Sequence, residues 1–431
     1  MKIKSINIHN FRSFIESWEI KLNYKLWKPI TIFWGNNSWK SNFIKALLYW
    51  IWYKYGWDYS FKKEDFYLLE TEKNLWVSVY LGDLPEPYET YSYTSFSADY
   101  LDWTPEVKQK IISWTNSKSL WKDWRRNIPF FYIDSENLKE QFRTKTSFWT
   151  YTPFWRYINS LKEDFNSNFE YYPEEISWKD IKRLDFLRSL LGVISENIIK
   201  TEKVELFLND FNSKLEWLEL NFWINEEDFF DKIDLLISDS EDKPNMPISN
   251  LWSWFIFEIL LTFFEVISKS NDWNIFLINK PEAFLDDVSQ EKFYKKLKKI
   301  SENNQVIIIS SSIKFLDFSE SRSIIKLENY ENLWTEFKQT YYINKKVDNI
   351  KLLQESFPEF KKWLLYKKVI LISDLKNYLK IKKDFPLEPI FYVHFDDLEK
   401  DLDSTFNDLW VFVKFIKSEE INLDEIKDFL Q

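Results

Sequence analysis

Eight residues near the start of the chain have the types and the spacing that bind phosphate. The segment from Trp34 to Ser41 reads Trp-Gly-Asn-Asn-Ser-Trp-Lys-Ser and matches the pattern G-x-x-x-x-G-K-[ST], except that tryptophan stands at both glycine positions. In such a loop, backbone N–H groups at a helix N-terminus surround the β-phosphate, the lysine neutralises phosphate oxygens, and the hydroxyl residue binds Mg²⁺. The sequence therefore predicts a site for ATP and Mg²⁺, with Ser41 as the metal ligand, made by Trp34, Gly35, Asn36, Asn37, Ser38, Trp39, Lys40, Ser41 and Asn42. The alternative is a lysine and a serine that meet by accident at a helix start.

The tryptophans are out of proportion to the glycines. The chain has 23 Trp and 4 Gly in 431 residues, although glycine ordinarily supplies about 7% of a protein and is the residue that adopts positive φ most easily. Tryptophan stands at turn positions in Leu26-Trp27-Lys28-Pro29 and Asp272-Trp273-Asn274. One hypothesis is that UGA codons meaning glycine have been read as tryptophan. The other is a protein truly rich in tryptophan, in which the indole at position 39 would fill the phosphate cradle.

The segments on either side of the loop have the patterns of the elements that must position it. Apolar residues predict strands over 1–8 and 28–33, the second leading through the loop into an amphipathic helix over 40–52. Later patterns predict strands over 76–97 and 128–133, helices over 155–215, and an α/β stretch of helix 255–269, strand 274–278, helix 290–302 and strand 305–310. These elements predict an α/β fold in four parts: an N-terminal lobe (1–154), a helical insertion (155–216), a C-terminal lobe (217–330) and a small α/β tail (331–431).

Several motifs together resemble one group of ATPases. Ile8-His9-Asn10-Phe11-Arg12-Ser13-Phe14, followed by Gly35-Asn36-Asn37-Ser38-Trp39-Lys40-Ser41-Asn42, is similar to the head of RecF/SMC-type ATPases and in particular of the OLD family. Ser249-Asn250-Leu251-Trp252-Ser253-Trp254-Phe255 resembles their signature loop if positions 252 and 254 are glycine, and the segment from Phe276 to Leu285 resembles their Walker B segment.

This resemblance implies a P-loop NTPase fold of the ABC/RecF type and a role in DNA repair, maintenance or anti-phage defence. It also implies that Arg12 lies near the nucleotide. The signature residues Leu251, Trp252, Ser253 and Trp254 would donate backbone N–H groups to the γ-phosphate across a homodimer.

Three positions depart from the family pattern. Asn279 and Lys280 replace the Asp-Glu pair that ends the Walker B strand, so an amide stands where a carboxylate holds hydrated Mg²⁺ and a cation stands where a general base accepts a proton. Ser311 stands where the family carries a switch histidine. These changes are not glycine-to-tryptophan exchanges, so we expect ATP binding without efficient hydrolysis. The alternative is that Glu282 or Asp286 substitutes for the missing base.

The tail begins like a nuclease domain but lacks its acids. The stretch from Leu364 to Asp374 is similar to the first strand of the Toprim domain in OLD proteins, where a glutamate takes the place of Ser373. The clustered acids Asp396, Asp397, Asp401 and Asp403 fit a solvated loop and a helix start. Because two-metal nuclease chemistry needs several converging carboxylates, we favour a structural remnant over an active nuclease.

Composition disfavours several other classes of protein. With no cysteine and two histidines, disulfides and thiol catalysis are excluded, and a histidine-based metal site or a Ser-His triad is disfavoured. The net charge of −10 argues against a surface that coats nucleic acid everywhere, but it allows a local basic groove for DNA. One candidate for such a groove, otherwise a solvated helix face, is Lys292, Lys295, Lys296, Lys298 and Lys299. No leader and no uninterrupted apolar span is visible, which predicts a cytoplasmic protein that does not enter membranes.

Overall fold

The structure is a computed structural model, and its description covers a defined set of residues. These are 2–17, 19–22, 27–34, 40–51, 62–83, 93–101, 104–112, 117–119, 130–135, 138, 201–214, 219–224, 233–238, 246–270, 274–330, 334–339, 360–363, 365–366, 368–393, 411–416 and 423–430. Several predictions fall on other residues: loop positions 35–39, the helices between 155 and 200, and the acids between 396 and 403. The chain divides into two compact units. The P-loop unit comprises residues 3–46, 61–119 and 307–431, and the helical unit comprises residues 1–2, 47–60 and 120–306.

The P-loop unit opens with a mainly antiparallel sheet of seven strands. Its central strands carry alternating apolar residues, as in β5, where Leu75, Val77 and Val79 are buried. The sheet order is β2-β1-β5-β6-β7-β8, with β3 also paired to β1. The strands are β1 (Lys2–Phe11), β2 (Phe14–Glu16), β3 (Ile20–Lys21), β5 (Leu75–Gly82), β6 (Tyr93–Leu101), β7 (Thr104–Ile112) and β8 (Ser117–Ser119).

A second sheet in this unit contains the strand that leads into the predicted phosphate loop. Strand β4 (Ile30–Trp34) lies between β14 (Gln305–Ser310) and β15 (Ile324–Tyr330) and is parallel to both. Strand β16 (Trp334–Gln339) pairs antiparallel with β15. All six residues of β14 are buried, as expected for a parallel strand covered on both faces. Helix α1 (Lys40–Ile51) follows the loop and buries Phe43, Ala46 and Leu47 at the spacing of one helix face.

The helical unit contains the segments predicted to resemble the signature loop and the Walker B strand. Strand β9 (Phe130–Asp134) pairs in parallel with β13 (Ile275–Asn279), whose five residues are all buried. Around them lie helices α2 (Glu202–Asn212), α3 (Ser253–Ser270) and α4 (Asp287–Ser301). A small antiparallel sheet contains β10 (Glu219–Ile224), β11 (Ile233–Ser238) and β12 (Met246–Pro247). Ring contacts such as Phe257 with Phe293, at 4.7 Å between centroids, join α3 to α4.

The tail contains a small parallel sheet in the order β18-β17-β19. Its described elements are α5 (Phe360–Trp363), β17 (Lys368–Ile372), α6 (Leu375–Asp384), β18 (Ile390–Tyr392), β19 (Phe412–Ile416) and α7 (Leu423–Leu430). The order of strand β17, helix α6 and parallel strand β18 is a βαβ unit. Both faces of β17 are buried, because its residues alternate between two hydrophobic clusters.

The predicted fold class is confirmed. The fold is α/β, and strand β4 is followed by helix α1 in the order that an ABC-type P-loop NTPase requires, with parallel neighbours on both sides of the strand. The division into four parts stays a prediction. Strand β16 lies beyond residue 330 and is nevertheless part of the P-loop sheet. Within the described residues, no helix is both long and apolar enough to cross a membrane.

Candidate functional site

The predicted phosphate loop lies between the end of β4 and the start of α1. Trp34 is the last residue of β4, and Lys40 and Ser41 are the first two residues of α1. Lys40 is half-buried and Ser41 is exposed. Because the first N–H groups of a helix have no partner within the helix, and the helix dipole is positive at this end, the start of α1 favours an anion. The structure therefore places Lys40 and Ser41 where the motif requires them, while residues 35–39 lie outside the described part of the chain.

The third residue of α1 is held by a small polar network. The Asn42 side chain is buried and donates a hydrogen bond to Ser13 Oγ at 3.0 Å. Thr335 Oγ1 donates to the same Ser13 Oγ at 2.8 Å, and Thr335 N donates to Ser13 O at 2.8 Å. One hydroxyl oxygen has two lone pairs and can accept both hydrogen bonds. The network ties the first turn of α1 to the turn after β1 and to β16.

Arg12, predicted to lie near the nucleotide, is oriented by an acid that sequence reasoning missed. Its guanidinium forms a salt bridge with Asp65, whose side chain is 4% exposed. The backbone N–H of Arg12 also donates to Asp65 O at 2.9 Å. Arg12 has a φ of 53° and Asn10 a φ of 49°, both in the left-handed region. Asn10 Nδ2 donates to the carbonyl oxygens of Glu70 and Lys73, so the end of β1 is fastened to the 62–73 segment.

The segment that resembles the signature loop forms a helix start in the helical unit. A short 3-10 turn over Ile248–Asn250 precedes α3, and Trp252 O accepts hydrogen bonds from Phe255 N at 2.9 Å and Ile256 N at 3.0 Å. Trp252 therefore occupies the N-cap position, and its side chain is 77% exposed. Ser253 is the first residue of α3, and Trp254 the second. Leu251 is half-buried and donates its N–H to Ile248 O. The first N–H groups of a helix have no acceptor within the helix, so a helix start of this kind can bind an anion.

Asn279 ends the buried strand β13 beside an aspartate. Asn279 Nδ2 donates to Asp134 Oδ1 at 3.2 Å and to the Tyr132 hydroxyl at 3.5 Å, and Ser135 Oγ donates to Asn279 O at 2.8 Å. The two strand ends are register partners, Asn279 with Asp134. The Asn279 amide, at the predicted Walker B position, thus serves as a donor that orients a carboxylate on the neighbouring strand. Sequence reasoning missed Asp134, which ends a strand at the same level as Asn279.

Lys280 and the acids that follow it have defined local roles. Lys280 has φ 50° and ψ 53°, a left-handed conformation that leads into the 3-10 turn Pro281–Phe284. Asp286 is the N-cap of α4 and accepts hydrogen bonds from Ser289 N at 2.8 Å and Ser289 Oγ at 3.0 Å. These bonds to Ser289 lower the pKa of Asp286. Asp286 is thus a helix cap, and Glu282 lies half-buried within the 3-10 turn.

The three serines at the end of β14 form a tight turn at the predicted switch position. Ser310 is fully buried, and its Oγ accepts a hydrogen bond from Ser312 N at 2.9 Å. Ser312 Oγ in turn accepts from Lys314 N at 3.2 Å and caps a short 3-10 helix. Ser311 lies half-buried between them. A serine hydroxyl can hydrogen-bond a phosphate, but unlike a histidine it does not gain or lose a proton near neutral pH.

The other predicted sites remain without a converging group of ligands in the described residues. Ser373 follows β17, and Asp374 caps α6 by accepting a hydrogen bond from Asn377 N at 3.0 Å. No group of three or more His, Cys, Asp or Glu side chains that could hold a metal occurs in the part of the chain that the structure describes. On α4, Lys296 forms a salt bridge with Glu258 at 2.8 Å and Lys298 lies over the Tyr294 ring, while Lys292, Lys295 and Lys299 are exposed.

The residues present fit a nucleotide in part. Lys40 and Ser41 at the start of α1 fit a triphosphate and a Mg²⁺ ion. Tryptophan at position 39 departs from the motif, which has glycine there because a Cβ at that position would take the space that a phosphate needs beside the backbone. Asn279 can offer only a neutral amide oxygen where the family uses a carboxylate.

Comparison with known proteins gives structural neighbours only. No protein-family model matches the chain, and no curated protein matches it. One similar solved structure is an SMC head bound to the C-winged helix domain of ScpA, with 14% identity, a TM-score of 0.46, and coverage of 78% of this chain and 97% of that one. The SMC head domain of Thermotoga maritima has 13% identity, a TM-score of 0.40, and coverage of 79% and 99%. The Pyrococcus furiosus Smc head with an extended coiled coil, bound to the C-terminal domain of ScpA, has 12% identity, a TM-score of 0.48, and coverage of 82% and 98%.

Proposed function

We propose that this protein binds ATP and Mg²⁺ at the start of α1, as an ABC-type ATPase of the OLD/RecF group. The observation that carries the proposal is the position of Lys40 and Ser41 in the first turn of a helix that follows a parallel strand. A phosphate at this place is bound by backbone N–H groups, by the helix dipole and by the lysine ammonium. The buried Asn42, Ser13 and Thr335 network supports the proposal, because it holds the same turn in place.

We further propose that ATP hydrolysis is weak or absent. The Asn279 amide donates to Asp134, Lys280 bears a cation where a base is needed, and Ser311 replaces the switch histidine. Each positioned acid–base or charge-stabilising group contributes about 10² or more to a rate. Lacking these groups, the protein would bind nucleotide and release phosphate slowly.

The cellular role follows from the resemblance in sequence and is a proposal on that basis. A place in DNA repair, maintenance or anti-phage defence fits the motifs from Ile8 to Phe14 and from Phe276 to Leu285. ATP would close a homodimer in which the helix start at Trp252 and Ser253 meets the γ-phosphate of the other copy. DNA is a candidate partner of the closed dimer.

A second candidate is a non-hydrolysing protein that acts as a nucleotide sensor or as a scaffold. The Asn279 to Asp134 hydrogen bond favours it, because the carboxylate at that strand end is already engaged. An active Toprim nuclease is a weaker candidate, since Ser373 stands in place of the expected glutamate and Asp374 caps a helix.

We also propose that many tryptophans stand for glycine. Trp27 has a φ of 54°, which glycine adopts easily and other residues adopt at a cost of about 1–2 kcal/mol. Trp252 exposes 77% of its surface at an N-cap, a position where glycine is well accepted. Trp363 differs, because it is 1% exposed and belongs to a hydrophobic core. A mass spectrum of the protein from its natural source would decide, since tryptophan at position 39 would overturn the recoding hypothesis.

The experiment that tests the proposed function is ATP binding and turnover on two matched chains. One has the sequence as written, and the other has glycine at positions 34, 39, 252 and 254. Binding by the glycine chain alone supports recoding, and its turnover then separates an ATPase from a sensor. If neither chain binds ATP, the ATP-binding proposal and a nucleotide-sensing role are both wrong, and a scaffold that does not use nucleotide remains. Metal-dependent DNA nicking by either chain would revive the nuclease.

A further inference from the structure

The strand that leads into the phosphate loop shares its hydrophobic core with the tail. Phe33, next to the last residue of β4, is 2% exposed. It belongs to one buried cluster together with Leu316, with Ile324 of β15 and with five residues of the tail, all within the P-loop unit. Those five tail residues are Trp363, Val369, Leu371, Val393 and Val411.

The central tail strand has two faces with different partners. Val369 and Leu371 of β17 belong to the cluster that contains Phe33. Ile370 and Ile372 belong to a separate cluster with Ile381 of α6 and with Ile426 of α7. All four β17 residues are 0% exposed. The alternation of side chains along a strand therefore divides β17 into a face toward the P-loop strand and a face toward the tail helices.

Polar contacts join the same two parts beside the cluster. Lys326 of β15 is the register partner of Phe33 and is 5% exposed. Its ammonium lies 2.7 Å from Glu328 and 3.4 Å from Tyr366 O, and Lys361 Nζ donates to Leu316 O at 2.8 Å. A buried charge needs such partners to be tolerated, so these contacts specify how the tail sits on the sheet.

We propose that the tail is a positioning element for the nucleotide site, acting through the contact between the Leu371 face of β17 and Phe33. Close-packed interiors transmit small displacements, because they have little space in which to absorb them. Phe33 directly precedes Trp34, the last residue of β4 and the first of the predicted phosphate loop, so a shift of the tail sheet displaces the end of β4 from which that loop starts. Coupling of this kind is reciprocal: ATP stiffens the tail sheet, and anything that stiffens the tail sheet tightens ATP binding. The part that concerns ATP rests on the proposed function.

Two substitutions in β17 of the full-length chain test the proposal. Leu371→Ala opens a cavity on the Phe33 face, and Ile370→Ala opens one on the helix face of the same strand. The first measurement is amide hydrogen exchange in β4 and in the first turn of α1, without nucleotide. We expect Leu371→Ala to speed amide exchange in β4 and the first turn of α1 at least tenfold over the parent. Ile370→Ala should keep the exchange rate there within twofold of the parent rate. Both variants should speed exchange in the tail. Equal effects of the two variants on β4 would overturn the proposal.

The second measurement is ATP affinity by calorimetry, on the form of the chain that binds. We expect Leu371→Ala to weaken ATP binding about tenfold, Leu371→Met to restore it, and Ile370→Ala to leave it unchanged. If the parent chain binds no ATP while β4 exchange still responds to Leu371→Ala alone, the proposed function fails and the coupling stands. If ATP binds and both variants bind it as the parent does, the coupling is wrong. Should alanine prevent folding, Leu371→Val and Ile370→Val form the milder matched pair.

Discussion

Asn279 donates a side-chain hydrogen bond to Asp134 at 3.2 Å, across the ends of two parallel strands. An amide and a carboxylate thus share the place where the sequence resemblance predicts an acid for hydrated Mg²⁺. The carboxylate is present, but on the adjacent strand, and the amide is its donor. The Asn279–Asp134 hydrogen bond therefore sets the expected effect of substituting Asn279, at the predicted Walker B position, on stability and on ATP hydrolysis.

Asn279→Asp should not restore ATP hydrolysis and should destabilise the protein at neutral pH. The substitution removes a buried hydrogen bond, worth about 1–3 kcal/mol when a partner is left unsatisfied, and it places two carboxylates side by side. The destabilisation should shrink as the pH falls and the carboxylates become protonated. Thermal unfolding of the variant and the parent across pH 4 to 8 measures it.

The exchanged pair, Asn279→Asp with Asp134→Asn, is the matched control. It keeps one amide and one carboxylate, so its stability should lie within about 1 kcal/mol of the parent. It also moves the carboxylate to the Walker B position. If the single and the double variant are equally stable at neutral pH, the hydrogen-bonded pair is not what holds these strand ends.

Thr335→Val should weaken ATP binding and lower stability by about 1 kcal/mol. The substitution removes the hydrogen bond to Ser13 Oγ, which also accepts from Asn42 in the first turn of α1. Thr262→Val is the control, because Thr262 is also buried and donates only to Glu258 O within α3. Calorimetric titration with ATP and thermal unfolding distinguish them. Equal loss of ATP affinity in both variants would contradict a role for the Ser13 network.

Asp65→Ala should lower the free energy of unfolding by about 3 kcal/mol and reduce ATP affinity. The change leaves the Arg12 guanidinium, 24% exposed, without its carboxylate partner. It also frees Arg12 to leave the position predicted to lie near the nucleotide. The double variant Asp65→Ala with Arg12→Met should regain part of the stability but none of the affinity. Denaturant unfolding and ATP titration would report this split, and recovery of affinity in the double variant would argue against a role for Arg12.

Asp286→Ala should lower the melting temperature at neutral pH and have little effect in acid. Hydrogen bonds from Ser289 lower the pKa of Asp286 below its ordinary value of 3.8. A depressed carboxyl pKa stabilises the fold above the unfolded-state value, and that contribution is lost as the pH falls through the folded-state value. The difference in melting temperature between parent and variant should therefore begin to shrink near the ordinary value and vanish only once the pH is below the lowered folded-state value. A difference that does not change with pH would mean that the charge of Asp286 is irrelevant to its cap.

Trp27→Gly and Trp363→Gly should have opposite effects on stability. Glycine relieves the positive φ at position 27, which should stabilise the fold by about 1 kcal/mol. At position 363 glycine removes a buried side chain from the tail core, which should cost about 3–5 kcal/mol. Thermal unfolding of the two variants measures both. The same contrast predicts UGA at codon 27 and UGG at codon 363, which the gene sequence can check.

Local signals were sufficient to predict much of the fold. The strand, loop and helix around Lys40 were predicted from an apolar run, a motif and an amphipathic pattern, and the helix starts at Lys40 as expected. Strand β14 has the bounds predicted for it, and α3 and β13 differ from their predictions by one or two residues at either end. Buried parallel strands and long apolar helices have such strong patterns because neighbours along the chain share one environment.

Other features depend on residues far apart in the chain. Asp65 beside Arg12, Thr335 beside Ser13, and Asp134 beside Asn279 are separated by 53, 322 and 145 residues, so no local pattern indicates them. The sequence by itself was enough to predict which residues could bind a phosphate and to show that Asn279, Lys280 and Ser311 differ from the residues that the resemblance leads one to expect. Only the tertiary structure decided which side chains hold those residues in place, and that Phe33 shares a core with Leu371. The physical reason is that pairing of strands and packing of buried side chains depend on distance in space, which the chain sets only when it is folded.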